Sequence, residues 1–245
     1  MPSAVKPPSV LMLGAASGLS PFGVTILVPL LAVVAADFDA SFGEVQFLIS
    51  AYLFGLAFAQ PFNGYLCDHF GRRPVLLTGF AVFIGASFLA AYAHSLGQLV
   101  LLRFLQAAGV SVGTVAARAV VRDTRDARGA TEALAYIAAA MGFAPILAPM
   151  FGGWLGGTGG YERVFTATAV LGMVIFAWLW FGLPETLRPE HARPHWRQWM
   201  GNYRKLLSSA PFLGYTLIFG FVQGCFFAFL AVGAEVFDTH LSIDE

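Results

Sequence analysis

Long apolar stretches with almost no charged residues recur along the chain, and polar segments separate them. They cover residues 9 to 34, 45 to 67, 75 to 93, 96 to 117, 133 to 155, 164 to 183 and 211 to 234. Each is close to or above the ~20 residues that a helix needs to cross a ~30 Å hydrocarbon core. The runs do not alternate apolar and polar positions as barrel strands do. The pattern therefore predicts an all-α membrane protein with seven transmembrane helices.

The composition supports a membrane location. The chain has 245 residues, of which 58% are hydrophobic and 11% are charged, and its mean hydropathy is +0.71. A soluble domain cannot bury that much apolar surface. The net charge of zero argues against a nucleic-acid partner. Cys67 and Cys225 offer neither a disulfide framework nor a metal-ligand spacing, so we expect no metal site and no cofactor.

Basic residues are concentrated in alternate connections between the runs. If the N-terminus is cytoplasmic, all of the 14 Lys and Arg residues except Arg103 and Arg163 lie in cytoplasmic segments. This bias predicts a cytoplasmic N-terminus, because basic residues are retained on the cytoplasmic side of a membrane. An odd number of spans then places the C-terminus outside.

One long polar connection, Pro184 to Ser209, separates the sixth run from the seventh. We interpret residues 1–183 as an N-terminal six-helix bundle, 184–209 as a central cytoplasmic linker, and 210–245 as the first helix of a truncated C-terminal bundle. Transporters often repeat a six-span half, and alternating access moves one half against the other. We therefore predict that residues 1–245 alone do not transport.

The connection between the second and third runs, residues 64–74, is dense in charges and glycines. Asp68 lies at a predicted helix C-terminus and Arg72 and Arg73 at a helix N-terminus, the reverse of what the helix dipole favours. Helix capping therefore does not explain these charges. Two interpretations remain: an ion-paired contact at the cytoplasmic face with Gly71 in the tight turn, or arginines that only set topology. The candidate gating residues are Gly64, Asp68, Gly71, Arg72 and Arg73.

Arg103 lies inside the fourth run. An arginine there costs several kcal/mol unless it faces protein or water, which marks it as a candidate functional residue. It shares one helical face with Gln106, Val110 and Gly113, and this face would line a cavity with one charge and one amide. The alternative is a side chain that extends to the outer membrane surface.

The fifth run contains two prolines one turn apart and a glycine pair. Pro145 and Pro149 remove backbone hydrogen bonds, and Gly152 and Gly153 permit close helix approach, which together predict a kink. The alternative is that Pro and Gly are simply more frequent in membrane helices.

These segments resemble motifs of the major facilitator superfamily. The loop resembles G-x-L-x-D-x-x-G-R-R-P-x-x-L, and the matching residues are Gly64, Leu66, Asp68, Gly71, Arg72, Arg73, Pro74 and Leu77. The fourth run is similar to the motif R-x-x-Q-G/A. The fifth run is similar to the antiporter motif, with Ala144 and Ala148 where glycine is usual.

The spacing of several prolines and of the residues next to them resembles that of the Bcr/CflA drug-resistance subfamily. It involves Pro21-Phe22 and Pro29 in the first run, and Pro184-Glu185-Thr186-Leu187 after the sixth. One departure is Thr25, the nearest counterpart of an aspartate that is usual in the subfamily.

The resemblance implies a multi-pass bacterial inner-membrane transporter that exports amphiphilic drugs or antibiotics by alternating access, with the proton gradient as energy source. It also implies that Arg103 is associated with proton transfer and that the loop couples the two halves. The implied partners are a drug-like molecule, the lipid bilayer and the remaining C-terminal half. Two alternatives are a transporter of a small metabolite, such as a sugar or amino acid, and a non-functional fragment. A membrane enzyme is disfavoured, because no His, Asp or Glu constellation lies near one membrane face. A seven-helix receptor is disfavoured as well, because its N-terminus would ordinarily lie outside, opposite to the charge bias of this chain.

Polar and aromatic side chains within the runs are the candidate substrate-cavity residues, although such residues also serve interhelical packing. They are Ser17, Thr25, Tyr52, Gln60, Asn63, Arg103, Gln106, Tyr215, Gln223 and Phe227. No Asp, Glu or His lies in the interior of the seven runs. A proton carrier is therefore expected at Glu235, at an edge group such as Asp68, or in the second half.

Overall fold

The computed structural model of the chain describes residues 7–187 and 196–241, with the side chains of the last helix described up to Cys225 and at Ala228. The chain divides into two units, residues 1–192 and 193–245. Ten α-helices and one 3-10 turn occur among the described residues. They are α1 (Val10–Thr25), the turn Val28–Leu30, α2 (Leu31–Asp37), α3 (Phe42–Val45), α4 (Phe47–Phe70), α5 (Arg72–Ala90), α6 (Leu96–Val110), α7 (Val112–Thr124), α8 (Ala127–Gly182), α9 (Trp196–Leu207) and α10 (Ala210–Leu241).

The predicted seven transmembrane helices and the all-α fold class are confirmed. Five segments of the first unit are long and apolar enough to cross a membrane. They are Val10–Asp37, Phe42–Phe70, Arg72–Ala90, Leu96–Thr124 and Ala127–Gly182. The last of these contains two spans, which brings the first unit to six, and the 32-residue helix α10 supplies the seventh.

A glycine turn divides α8 into two antiparallel arms. Gly159 and Gly160 have non-helical dihedral angles, and Gly160 has a φ of 67° that glycine adopts without steric cost. The first arm packs through Ala140 against Gly14, and the second arm returns to place Gly182 against Met12. Both arms therefore reach the same end of α1, as two successive membrane spans must.

Close helix packing in the first unit depends on small residues. A Cβ atom built on Gly79 would lie 2.6 Å from the carbonyl oxygen of Gly109, so the backbones of α5 and α6 are in direct contact. Gly55 brings α4 equally close to the Phe104 carbonyl of α6. This is the packing mode of membrane helices, which gain little from burying apolar surface against one another and depend on close van der Waals contact.

The first unit extends beyond the predicted boundary at residue 183. Glu185 and Thr186 form hydrogen bonds to Arg72 and Asp123, and these bonds hold the start of the predicted linker against the six-span bundle. The middle of the predicted linker, residues 188–195, lies outside the described residues. The linker ends in α9, which the hydropathy pattern did not predict as a helix.

Candidate functional sites: a buried arginine and a charged junction

Arg103 is completely enclosed in the first unit, with 0% of its surface exposed. Its guanidinium donates to the carbonyl oxygen of Gly23 at 3.0 Å, to that of Leu48 at 3.4 Å, and to Oε1 of Gln106 at 2.7 Å. The central carbon of the guanidinium lies 4.1 Å from the ring centroid of Tyr52. The side chain thus binds inward, and the alternative of an extension to the membrane surface does not apply.

The surroundings of Arg103 explain how a charge is held here without a carboxylate. Helix α1 ends at Thr25, so the Gly23 carbonyl belongs to the last turn, whose carbonyl groups lack partners within the helix. The same turn carries the negative end of the helix dipole, which favours a cation. The ring face of Tyr52 adds a cation–π contact. Among the described residues, the ion pairs of the chain involve Arg72 and not Arg103.

A directed series of hydrogen bonds continues from Arg103 to α5. Because Oε1 of Gln106 accepts from Arg103, its amide nitrogen faces the other way and donates to Oγ of Ser87 at 2.7 Å. Ser87 in turn donates to the carbonyl oxygen of Phe83 at 2.6 Å. Every polar group in the series has a partner, which is the condition under which a buried network rigidifies a core. We call these groups, with Tyr52, Gly23 and Leu48, the Arg103 network.

The other polar candidates of the first unit divide into buried and exposed groups. Asn63 is buried and donates to Oγ of Ser111 at 2.7 Å, and the hydroxyl of Ser17 donates to the Gly113 carbonyl at 3.3 Å. Thr25 is buried and donates to the carbonyl of Pro21 in its own helix at 3.3 Å. Gln60 is exposed on the surface of α4.

The candidates of the second unit lie on α10. Tyr215 is 78% exposed, and Gln223 is exposed as well. The side chain of Phe227 lies outside the described residues, and so does that of Glu235. Among the residues that the structure describes, no three His, Cys, Asp or Glu side chains are placed to hold a metal ion.

The loop between α4 and α5 forms the second polar site. Nη1 of Arg72 lies 2.8 Å from Oδ1 of Asp68, and Nε of Arg72 lies 3.2 Å from Oδ2 of Asp123 at the end of α7. The same Nη1 donates to the carbonyl of Cys67 at 2.7 Å, which places the guanidinium at the C-terminus of α4. Arg72 thus joins the ends of three helices. These residues, together with Arg73, Glu185 and Thr186, are referred to below as the charged junction.

Glu185 explains the arginines at the start of α5. Its carboxylate accepts hydrogen bonds from the backbone N–H groups of Arg72 at 3.0 Å and Arg73 at 3.1 Å, which are the first two residues of the helix. These N–H groups have no partner within the helix, and a carboxylate is the group that the positive end of the dipole favours. An acidic side chain 112 or more residues away therefore compensates for the reversed charges of the loop.

Gly71 is required at the turn for two reasons. Its φ is 107°, a backbone conformation that residues with a side chain rarely adopt. A Cβ atom there would also lie 2.6 Å from Oε2 of Glu185. Arg73 extends away from this turn, donates to the carbonyl of Trp180 at 2.7 Å, and lies 5.9 Å from the centroid of the Trp180 ring. By contrast, a Cβ on Gly64 would meet nothing within 4 Å.

The Pro-Gly segment of the fifth span lies in the first arm of α8. Pro145 and Pro149 stand inside the helix. Gly152 is buried, and a Cβ atom there would overlap the carbonyl oxygen of Ile26. Gly153 is exposed, and the nearest atom to a Cβ there would be Cβ of Pro29 at 3.9 Å. The non-helical dihedral angles of α8 occur at Gly159 and Gly160, seven residues further along.

Comparison with known proteins agrees with this architecture. The family model of the Major Facilitator Superfamily matches residues 13–243. The chain is 30% identical over 229 residues to the bicyclomycin resistance protein homolog of Haemophilus influenzae, an alignment that covers 93% of the chain and 58% of the relative. It is 31% identical to the multidrug transporter MdfA of Yersinia pestis, over 81% of the chain and 48% of the relative.

Solved structures show the same fold at low sequence identity. A bacterial homolog of the human lysosomal transporter Spinster aligns with a TM-score of 0.74 and 16% identity, over 94% of the chain and 54% of that structure. A D-xylose-proton symporter aligns with a TM-score of 0.68 and 17% identity, over 94% and 61%. The chain spans about half the length of the curated relatives it matches. It is a multi-pass membrane protein that belongs to the major facilitator superfamily, among the relatives of its bicyclomycin-resistance and multidrug transporters.

Proposed function

We propose that the chain forms the first half of a transporter that exports amphiphilic, drug-like molecules across the bacterial inner membrane. The observation that carries this proposal is the Arg103 network, which ties α1, α4, α5 and α6 together inside the membrane. Alternating access requires each bundle to move as a unit. A network with every polar group bonded provides that rigidity. The choice of drugs as substrates is supported by the names of the relatives.

In this proposal the Arg103 network is structural, and the substrate contacts lie elsewhere. Arg103, Gln106, Tyr52, Asn63 and Thr25 are all buried, so none of them presents a free polar group to a ligand. Gln60 on α4 and the α10 candidates Tyr215 and Gln223 are exposed and are available for contacts with an amphiphilic molecule.

The charged junction is proposed to face the cytoplasm. It lies at the end of the bundle where Arg118, Arg122, Arg125 and Arg128 are concentrated, which supports this orientation by the positive-inside rule. A reporter fused after Glu245 should then be active only outside the membrane. Activity of that reporter in the cytoplasm would contradict the orientation.

Export is proposed to be coupled to proton entry. In the spans of the first unit, the buried polar residues that the structure describes are Ser, Thr, Asn, Gln and Arg, and none of these exchanges a proton near neutral pH. The carrier is therefore assigned to an edge group such as Asp68, to Glu235 on α10, or to a carboxylate of the second half.

A susceptibility panel on an efflux-deficient host tests the function. We expect the complete transporter to raise resistance to several amphiphilic antibiotics, and residues 1–245 alone to raise resistance to none. In inside-out vesicles with an acidic interior, addition of a transported drug should release protons, which a pH-sensitive dye reports. If drug susceptibility were unchanged and addition of a sugar or an amino acid released protons, the proposal of drug export would give way to one of metabolite transport.

A further inference from the structure

We propose that α9 lies in the headgroup layer of the membrane and binds anionic phospholipids through Arg197, Arg204 and Lys205. The evidence comes from the second unit alone and does not depend on what the protein transports. Three features of the helix carry the inference: the distribution of its side chains, its angle to α10, and its charge.

The side chains of α9 segregate into an apolar and a polar face. At 3.6 residues per turn, six apolar or aromatic residues occupy an arc of about 120°. They are Trp196, Trp199, Met200, Tyr203, Leu206 and Leu207. The remaining arc holds Arg197, Gln198, Gly201, Asn202, Arg204 and Lys205. This separation, in a helix whose composition is too polar to span a membrane, is typical of helices that lie at a membrane surface.

The angle between α9 and α10 places this helix along the membrane. Helix α9 ends at Leu207, α10 begins at Ala210, and the axes of Trp196–Leu207 and Ala210–Cys225 meet at 78°. Transmembrane helices are tilted on average by about 20° from the bilayer normal. Because α10 is the seventh span, a helix almost perpendicular to it, two residues from its start, runs along the bilayer surface.

The apolar face of α9 is rich in aromatic side chains. No residue of α9 is buried, and Leu207, adjacent to the start of the span, is 59% exposed. The rings of Trp196 and Trp199 stack at 4.7 Å between centroids, and Trp199 and Tyr203 lie 4.6 Å apart. Trp and Tyr side chains are the residues that accumulate at membrane–water interfaces, where an apolar ring and a polar tip are both solvated.

The charge of α9 identifies the partner as an anionic surface. The helix carries three basic residues and no acidic residue, and all three are exposed. Arg197 and Arg204 are two turns apart and flank the same edge of the apolar face. From this position their guanidinium groups reach phosphate oxygens at the depth where the apolar face inserts.

Spin labels on the full chain test the depth of the helix. In a background of Cys67→Ala and Cys225→Ala, Met200→Cys labels the apolar face and Gln198→Cys labels the polar face as a matched control. The protein is reconstituted in nanodiscs of phosphatidylcholine alone or mixed with phosphatidylglycerol. Collision rates are measured with oxygen, which concentrates in lipid, and with a water-soluble nickel chelate. Retained helicity and a monodisperse elution profile show that each variant is folded.

We expect the ratio of oxygen to nickel collisions to be several-fold higher at position 200 than at position 198. This difference between the two positions should be larger when phosphatidylglycerol is present. In the double variant Arg204→Gln/Lys205→Gln, phosphatidylglycerol should no longer enlarge it. Three results would overturn the proposal. The first is equal access of the nickel chelate to positions 200 and 198. The second is protection of position 200 from both reagents, as in a protein–protein contact. The third is a difference between the two positions that stays the same with or without phosphatidylglycerol and in the Arg204→Gln/Lys205→Gln variant.

Discussion

The carboxylate of Glu185 accepts a hydrogen bond of 3.0 Å from the backbone N–H of Arg72, a residue 113 positions earlier in the chain. The bond fastens the end of the sixth span to the beginning of the third. It also places a negative charge at a helix N-terminus that otherwise begins with two arginines. The stability of the charged junction therefore depends on a residue outside the loop that contains its arginines.

Glu185→Ala should destabilise the first unit by about 2 kcal/mol, because two backbone N–H groups lose a charged acceptor. Glu185→Gln retains one acceptor oxygen without the charge, and we expect roughly half of that loss. Thermal unfolding of the purified chain in detergent measures both. Glu132→Gln, at an exposed position beyond the first turn of α8, is the control and should leave the unfolding temperature unchanged. Equal stability of Glu185→Ala and wild type would show that the two bonds contribute nothing.

Gly64 and Gly71, the two glycines of the motif between the second and third spans, should respond differently to substitution. Gly71→Ala forces a side chain into a backbone conformation with φ of 107° and against the Glu185 carboxylate, so we expect a loss of about 2 kcal/mol or more. Gly64→Ala adds a methyl group in open space within a helix and should leave the stability unchanged or raise it by up to about 1 kcal/mol. Unfolding in denaturant compares them. A destabilising Gly64→Ala would mean that α4 is packed differently at this point.

A second glycine pair tests the contact between α1 and α8. Gly152→Ala would direct its methyl group against the backbone carbonyl of Ile26, which cannot move without displacing the helix end, so a loss of about 1–3 kcal/mol is expected. Gly153→Ala adds its methyl group at ordinary contact distance from Pro29 and should be neutral. The measurement is the fraction of folded protein that survives a heating step, followed by size exclusion. If both variants behaved alike, the close approach at Gly152 would be refuted.

Variants of the Arg103 network separate charge from geometry. Arg103→Lys keeps the charge but cannot reach the Gly23 and Leu48 carbonyls and Gln106 together. We expect it to lose about 2–4 kcal/mol, because buried acceptors are left without a donor. Tyr52→Phe keeps the ring under the guanidinium and loses the 3.1 Å bond to the Ser20 carbonyl, so about 1 kcal/mol is expected.

Tyr52→Leu removes the ring as well and should cost more than Tyr52→Phe. Chemical unfolding of the reconstituted chain distinguishes the three variants of the network. If Arg103→Lys lost no more stability than Tyr52→Phe, this would contradict the hydrogen bonding of one guanidinium to two carbonyl groups and Gln106 at once. In the complete transporter, Arg103→Ala is expected to insert into the membrane and to abolish efflux.

Much of the fold could be predicted from the sequence because membrane spans are local features. Apolar length located the helices, and the position of Gly159 between two runs left room for the turn that divides α8. The interruptions of α1 after Thr25 and of α6 after Val110 could not be found in this way, because the apolar runs continue through them. Mean hydropathy does not reveal the amphipathic helix α9, because averaging over whole turns cancels the contributions of its apolar and polar faces.

The site was predictable only where its chemistry lies within one segment. Arg103 and Gln106 are three residues apart, and both were identified. Ser87 of α5 was not identified as part of this site, because an isolated serine in a membrane span carries no signal of its role. The remaining hydrogen-bond partners of Arg103 are backbone carbonyl groups, which every residue possesses and no sequence pattern marks.

The charged junction shows the same limit for long-range pairs. Asp68 and Arg72 stood out by their spacing, whereas Asp123 and Glu185 are 51 and 113 residues away from Arg72. One feature of the sequence does mark Glu185. Glu185 is a single acidic residue directly after an apolar run, at the side of the membrane where basic residues predominate, and such a charge needs a local cation or a helix N-terminus.

The manner in which Arg103 is neutralised has a consequence for energy coupling. Its charge is balanced by a helix end, amide and carbonyl oxygens and a ring, and an arginine keeps its proton at every pH that a cell encounters. The side chains of Gln106 and Ser87 do not titrate in that range. If export is coupled to proton entry as proposed above, protonation of the carrier would leave the hydrogen bonds around Arg103 unchanged, because none of their groups titrates near neutral pH. In the proposed cycle, the packing of α1, α4, α5 and α6 around Arg103 would therefore be the same before and after the proton binds.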